Sequence, residues 1–154
     1  MRLLDTPRGG RVLEIGCGWG ALAAAVAQRH GAHVTGLTLS TEQLAHAKEL
    51  GRRLGIASSL DLRLQDYRDV EGRYDRIVSI EMLEAVGERY WPTYFDVLRR
   101  RLAADGQAVL QVITIGEPWF DGYRSGADFI QRFIFPGGML PGKMKRWMKS
   151  APLR

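Results

Sequence analysis

Three glycines on alternate positions, Gly16, Gly18 and Gly20, follow an apolar run that carries an acid, Glu14, two places before the first of them. Alternate glycines let the chain turn sharply and leave no Cβ between the backbone and a ligand. A helix starting there adds free amides and the positive end of its dipole, so the chemistry on offer is the grip of an anion, either a pyrophosphate or the carboxylate of an amino acid. Counted to Ala21, the stretch also fits Gly-x-Gly-x-x-Ala, the spacing of dinucleotide sites, in which an acid ending the second strand holds the ribose. That place reads Gly36-Leu-Thr-Leu-Ser40, with no carboxylate before Glu42. A nicotinamide cofactor is therefore disfavoured. Cys17, the only cysteine, excludes an internal disulfide and a multi-cysteine metal site, and its small side chain suits the turn. His30, His33 and His46 fall at a helix end, a strand start and a helix face and read as surface residues.

The elements that must position these groups alternate. Arg11 to Gly16 reads as a strand, and Ala21 to His30 as an alanine-rich helix ended by Gly31. His33 to Leu39 is a second strand, after which Ser40 caps a helix with Gln43 at its third position, a capping-box spacing. Leu60 to Leu64 and Tyr74 to Ile80 are the third and fourth strands. Trp91 to Leu102 is helical, with Tyr94, Phe95, Leu98 and Leu102 on one face, and Asp105-Gly106 turns the chain into a fifth strand, Gln107 to Ile115. Strands alternating with helices predict an α/β, doubly wound, mostly parallel sheet with its ligand beyond the carboxyl ends of the strands. Residues 1–116 form this core. Residues 117–142, rich in aromatics, Gly and Pro, read as a loop-rich insert, and 143–154 as a basic, frayed tail.

With 154 residues and 45% apolar content the chain suits one globular domain able to bury a core. It has no apolar run of roughly eighteen residues and no secretory leader, so a cytoplasmic location is expected. The net charge of +5 raises a nucleic-acid reading, but the tail alone supplies five basic residues, leaving 17 against 17 acids in the body. No nucleic-acid partner is expected. The tail, with Trp147, either leans on an anionic membrane surface or is simply solvated.

Glu14-x-Gly-x-Gly-x-Gly20 resembles the first motif of S-adenosylmethionine-dependent methyltransferases. Gly36 to Gln43, Gln65-Asp-Tyr-Arg-Asp69, Tyr74 to Gly87 and Phe129-Ile-Gln-Arg-Phe-Ile-Phe-Pro-Gly-Gly-Met-Leu-Pro141 then follow in order. Together these look like the cyclopropane-fatty-acyl-phospholipid synthase and mycolic acid cyclopropane synthase family, a resemblance covering nearly all of residues 11 to 141. It implies a Rossmann-like class I fold and S-adenosylmethionine as cofactor. The glycine turn and Glu14 would take its methionine end, Thr38, Leu39 and Gln43 the ribose, and Asp66 and Tyr67 the adenine. It also implies that an acyl-chain alkene attacks the sulfonium methyl and that the resulting carbocation loses a proton to bound bicarbonate, which Glu84 helps to hold. A carboxylate facing an anion needs a shared proton or a raised pKa. A carbocation demands a dry pocket, for which Trp119, Phe120, Tyr123, Phe129, Phe133 and Phe135 supply walls. The implied partners are unsaturated phospholipid acyl chains, with peripheral contact at the inner face of the cell membrane and room for a homo-oligomer.

Each of these residues also has a plainer reading. Glu14 closes a strand end, Asp66-Tyr67 is a strand-end turn, Glu84 is an acid favoured at a helix start, and the aromatics are packing. One position departs from the resemblance: counting from Gly106 puts Gln111 where a bicarbonate-contacting histidine is expected and Ile113 at the accompanying isoleucine. Glutamine donates and accepts hydrogen bonds but carries no proton away, so methyl or methylene products stand beside the cyclopropane ring. Five strands are fewer than the resembled fold uses, which suggests truncation at both ends. Rival expectations are a small-molecule methyltransferase and a catalytically incomplete cofactor-binding fragment.

Overall fold

A computed structural model of the chain describes residues 6–126, 129, 133 and 137–142. Phe135 and the basic tail lie outside the described residues. Five strands form one sheet in the order β3-β2-β1-β4-β5: β1 (Arg11–Ile15), β2 (His33–Thr38), β3 (Leu60–Leu64), β4 (Tyr74–Ile80) and β5 (Leu102–Gln111). The β1–β2, β1–β4 and β2–β3 pairings are parallel. This is the doubly wound α/β architecture expected from the alternation of periods. The strand order reverses between β1 and β4, where such sheets bind ligands.

The chain divides into two compact units. One comprises the residues up to Ile80 together with Arg100–Leu110, and the other Glu81–Arg99 together with the residues from Gln111 onward. In the first, the β-branched strands and an alanine-rich helix α1 (Ala21–His30) interlock: Val12, Val34 and Val78 pack with Ala23, Val26 and Ala27, all buried. The small helix residues let α1 lie close to the sheet. Gly31, in the left-handed conformation, ends α1 by donating its amide to Ala27 O at 2.9 Å. The second helix, α2 (Thr41–Arg53), starts at Ser40, whose hydroxyl accepts the Gln43 amide at 3.2 Å. The reciprocal half of the capping box does not form, because the Gln43 side chain is engaged by Thr38 instead.

In the second unit, α3 (Leu83–Val86) is a single turn and α4 (Trp91–Arg101) has Trp91, Tyr94, Val97 and Leu98 buried. The Trp91 indole donates to Leu83 O at 3.1 Å and ties the two together. Three expectations are corrected. β5 begins at Leu102 rather than Gln107, so Leu102 leaves α4 and the expected Asp105-Gly106 turn lies inside the strand. β5 ends at Gln111 rather than Ile115, because the amides beyond it are taken elsewhere: Ile113 N by Glu84, and Ile115 N by Pro141 O at 3.0 Å. The segment from Glu117, read as loop, opens with a helix α5 (Glu117–Ser125) that starts on Pro118 in its first turn and buries none of its residues.

Candidate cofactor cradle and acid pair

The glycine turn is left-handed at all three glycines, with φ of 78° at Gly16, 51° at Gly18 and 84° at Gly20. Gly20 is required twice over. It is the N-cap of α1, and a Cβ there would lie 2.6 Å from the Ala47 Cβ of α2. Gly18 differs, since nothing lies within 4 Å of the place a Cβ would take. That open side, next to an N-terminus with no side-chain cap, is the bare backbone an anion needs. Cys17 points the other way: it is buried with Ala47 and Leu62, and its amide donates to Leu37 O at 2.8 Å. Burial, helped by the nearby Glu14 charge, pushes its thiol up to about 11.

Glu14 stands beneath this turn, only 3% exposed, and its Oε2 has no hydrogen-bond partner. Burial pushes its carboxyl from 4.5 up to about 8, against the opposing pull of the Ala23 backbone amide in α1. A half-satisfied buried carboxyl suits a cationic or hydrogen-donating ligand group, such as the ammonium that the expected cofactor would carry.

At the end of β2, the buried Thr38 hydroxyl donates to Gln43 Oε1 at 2.7 Å and its oxygen accepts Ser40 N at 3.2 Å. With its amide oxygen committed, Gln43 keeps its NH2 group for a ligand, and that group has no partner among the described residues. Neutral donors of this kind grip sugar hydroxyls without an acid. Leu39 is 70% exposed, at the same strand end. Asp66 receives Arg68 N and Nε on Oδ1, both at 2.9 Å, and Arg68 Nη2 on Oδ2 at 2.7 Å. The Arg68 guanidinium holds the Asp66 carboxyl below its ordinary range. Tyr67 next to it is buried. All the residues expected to hold a cofactor therefore lie in one unit, at the carboxyl ends of β1, β2 and β3. Trp19, 55% exposed, meets His46 edge-on with ring centroids 5.3 Å apart, so that histidine has a neighbour the sequence did not suggest.

The second unit holds the residues expected on the reaction side. Glu84 is buried in α3; its Oε1 accepts the Ile113 amide, its Oε2 has no hydrogen-bond partner, and its backbone oxygen accepts Met139 N at 2.8 Å. The Gly-Gly-Met-Leu-Pro segment thus returns to the acid. Gly87 approaches Gly137 so closely that a Cβ would sit 2.7 Å from the Gly137 oxygen. Gln111 does not meet Glu84. Its Nε2 donates to Glu81 Oε1 at 3.0 Å, and Glu81 N donates back to Gln111 O at 2.8 Å. Ile113 joins Glu84 through its backbone while its side chain is half exposed. Of the expected walls, Trp119, Phe129 and Phe133 are largely exposed, the last two with ring centroids 5.1 Å apart and planes tilted by 40°.

A sequence model of the family described as Mycolic acid cyclopropane synthetase matches residues 1–151. The chain belongs to this family. It is 44% identical over 143 residues to Tuberculostearic acid methyltransferase UfaA1 of Mycobacterium tuberculosis, covering 91% of the chain and 33% of that protein. It is 40% identical over 149 residues to Cyclopropane-fatty-acyl-phospholipid synthase of Escherichia coli, covering 97% of the chain and 37% of that protein. Among solved structures, mycolic acid cyclopropane synthase CmaA1, complexed with SAH and CTAB, matches with a TM-score of 0.79 at 32% identity, over 90% of this chain and 52% of that one. The cyclopropane synthase MmaA2 of Mycobacterium tuberculosis matches with a TM-score of 0.78 at 27% identity, over the same shares. The chain thus spans about a third of the length of these curated relatives.

Family membership does not single out Glu81, and sequence reading missed it. Its backbone, at φ 52°, is the one non-glycine left-handed position among the described residues. No periodicity announces such a residue. The only available signal was an acid placed directly after a buried strand, at the end where ligands bind.

Proposed function

We propose that this chain is the cofactor-binding part of an S-adenosylmethionine-dependent enzyme that transfers a methyl or methylene group to the double bond of an unsaturated phospholipid acyl chain. The observation that carries the reading is the pairing of an open, uncapped glycine turn with an acid-free strand end where Thr38 fixes Gln43 as a donor. Glu14, Gly16, Gly18 and Gly20 bind the amino-acid end, Thr38, Leu39 and Gln43 the ribose, and Asp66 and Tyr67 the adenine. When bound, S-adenosylmethionine supplies an electrophilic methyl on sulfur for the alkene π electrons. Glu84, Gln111 and Ile113 serve the reaction side. The unpartnered Glu84 Oε2 fits the hydroxyl of a bicarbonate ion, which would supply a proton acceptor there.

Residues 1–116 carry the cofactor, 117–142 shape the acyl pocket, and the enzyme works at the inner membrane surface with its acyl substrates. Calorimetry with S-adenosylhomocysteine, with NADH as competitor, tests the first half: micromolar binding that NADH leaves untouched is expected, and displacement by NADH sinks the reading. Mass spectrometry of phospholipids tests the second. The acyl chains gain the mass of one methylene, whereas a small-molecule methyltransferase leaves them unchanged.

A further inference from the structure

Glu88 and Arg124 meet within the second unit. Glu88 opens the short 3₁₀ turn Glu88–Tyr90, and Arg124 lies in the last turn of α5. Arg124 Nε donates to Glu88 Oε2 at 2.9 Å, and this single bond leaves both Nη groups of the guanidinium and the Glu88 Oε1 without a partner among the described residues. Arginine and carboxylate often pair through two parallel bonds. Here the pair is made side-on, so each member keeps hydrogen-bonding capacity for a third group.

Beside the pair lies a cavity of about 290 Å³, lined by both residues and by Gly126, Gly137, Gly138 and Met139. Bare backbone shapes it. A Cβ on Gly87 would lie 2.7 Å from Gly137 O, so its absence lets the Gly137 stretch close against the turn that carries Glu88. The Ser125 hydroxyl, also at the cavity, donates to Gly122 O at 3.0 Å, so its hydrogen is used inside α5. The volume is at the small end of the range for ligand sites, roughly 300–1,000 Å³. A small polar group fits, and the charged pair at the wall disfavours an acyl chain there.

The charges of the wall select further. A simple anion is drawn by Arg124 but repelled by the carboxylate bonded to the same guanidinium, and a simple cation meets the reverse. A group carrying both charges a few bonds apart finds a partner for each, its phosphate on the Arg124 Nη groups and its ammonium on Glu88 Oε1.

We propose that this cavity binds the zwitterionic head group of a phospholipid, a phosphodiester joined through two carbons to an ammonium. That the head group belongs to a lipid rests on the proposed function. The site itself is built entirely from the second unit and needs no cofactor.

The full chain is titrated by NMR with glycerophosphoethanolamine, which is such a head group without acyl chains, and with glycerophosphoglycerol, a diester lacking the amine. The unaltered chain binds the first with a dissociation constant of about 1 mM, as suits a ligand so small. Arg124→Gln weakens both ligands about tenfold. Glu88→Gln moves them in opposite directions, glycerophosphoethanolamine about fivefold weaker and glycerophosphoglycerol about threefold tighter. A merely structural pair would not split the two ligands. Both variants fold, checked by thermal melts, since an ion pair with Arg124 58% exposed adds little stability. Flotation then separates a lipid from a free diester. Neutral vesicles of dioleoyl phosphatidylcholine and phosphatidylethanolamine leave out any pull of the basic tail toward anionic membranes. The unaltered chain floats with them, and Arg124→Gln floats about threefold less.

Glycerophosphoethanolamine affinity that Arg124→Gln leaves unchanged overturns the inference. So does a Glu88→Gln chain that binds both ligands more tightly, the mark of a plain anion site. Equal flotation of the unaltered chain and Arg124→Gln overturns it too, because the head group bound is then not a lipid's. A chain that binds the head group and not S-adenosylhomocysteine overturns the proposed function and leaves this site standing. One that binds S-adenosylhomocysteine and no head group does the reverse.

Discussion

Glu14 carries a proton at neutral pH because burial raises its carboxyl from 4.5 to about 8. Below pH 4.5 the folded and unfolded chains both hold that proton. Between 4.5 and about 8 only the folded chain does, so Glu14 makes stability fall as pH rises through that window. Glu14→Gln is expected to flatten the fall, read as unfolding free energy by urea at several pH values. A ligand ammonium beside this carboxyl favours its ionised form, so cofactor binding at neutral pH releases up to about one proton. Calorimetry in buffers of different ionisation enthalpy measures that release, and no release separates Glu14 from the ligand. The place of Glu14 was legible from its spacing to the glycines. Its protonation was not, because that depends on the burial of β1 among β2, β4 and α1. Gln111 shows the same limit: its strand position could be counted, but its partner Glu81 is set by a backbone angle that leaves no trace in composition.

Among the elements, the glycine turn separates two jobs that one motif conceals. Gly20→Ala places a methyl against Ala47 at a left-handed position and is expected to cost about 2 kcal/mol or more of stability. Gly18→Ala meets open space, so its stability cost stays near 1 kcal/mol, while cofactor affinity drops more than tenfold as the methyl enters the ligand's side. Thermal melts and calorimetry on the two variants should rank them in opposite orders. Ser40→Ala removes the cap of α2 and costs about 1 kcal/mol. Strands β1 to β4 were readable from their period, helices α1 and α2 from a cap or a glycine stop, and α4 from its apolar face. The end of β5 and the start of α5 were not. The first is set by amides claimed from Glu84 and Pro141, and the second by a helix that buries no residue and so shows no clear apolar stripe.

On the scale of the molecule, the sheet is uneven. Val12, Leu13, Ile77 and Val78 in the two central strands are at most 1% exposed, while no residue of β5 is buried. Amide hydrogen exchange should therefore be slowest in β1 and β4 and faster in β5, and equal protection across the sheet would contradict that gradient. No helix among the described residues is long and apolar enough to cross a membrane. The thiol of Cys17 gives this architecture a built-in clock. It is the chain's sole sulfhydryl, shut away between α2 and β3 and weakly acidic, so an alkylating reagent reaches it only when the unit built on β1, β2 and β3 loosens. The labelling rate then counts those excursions directly, and any molecule that truly settles on the glycine bend must slow it.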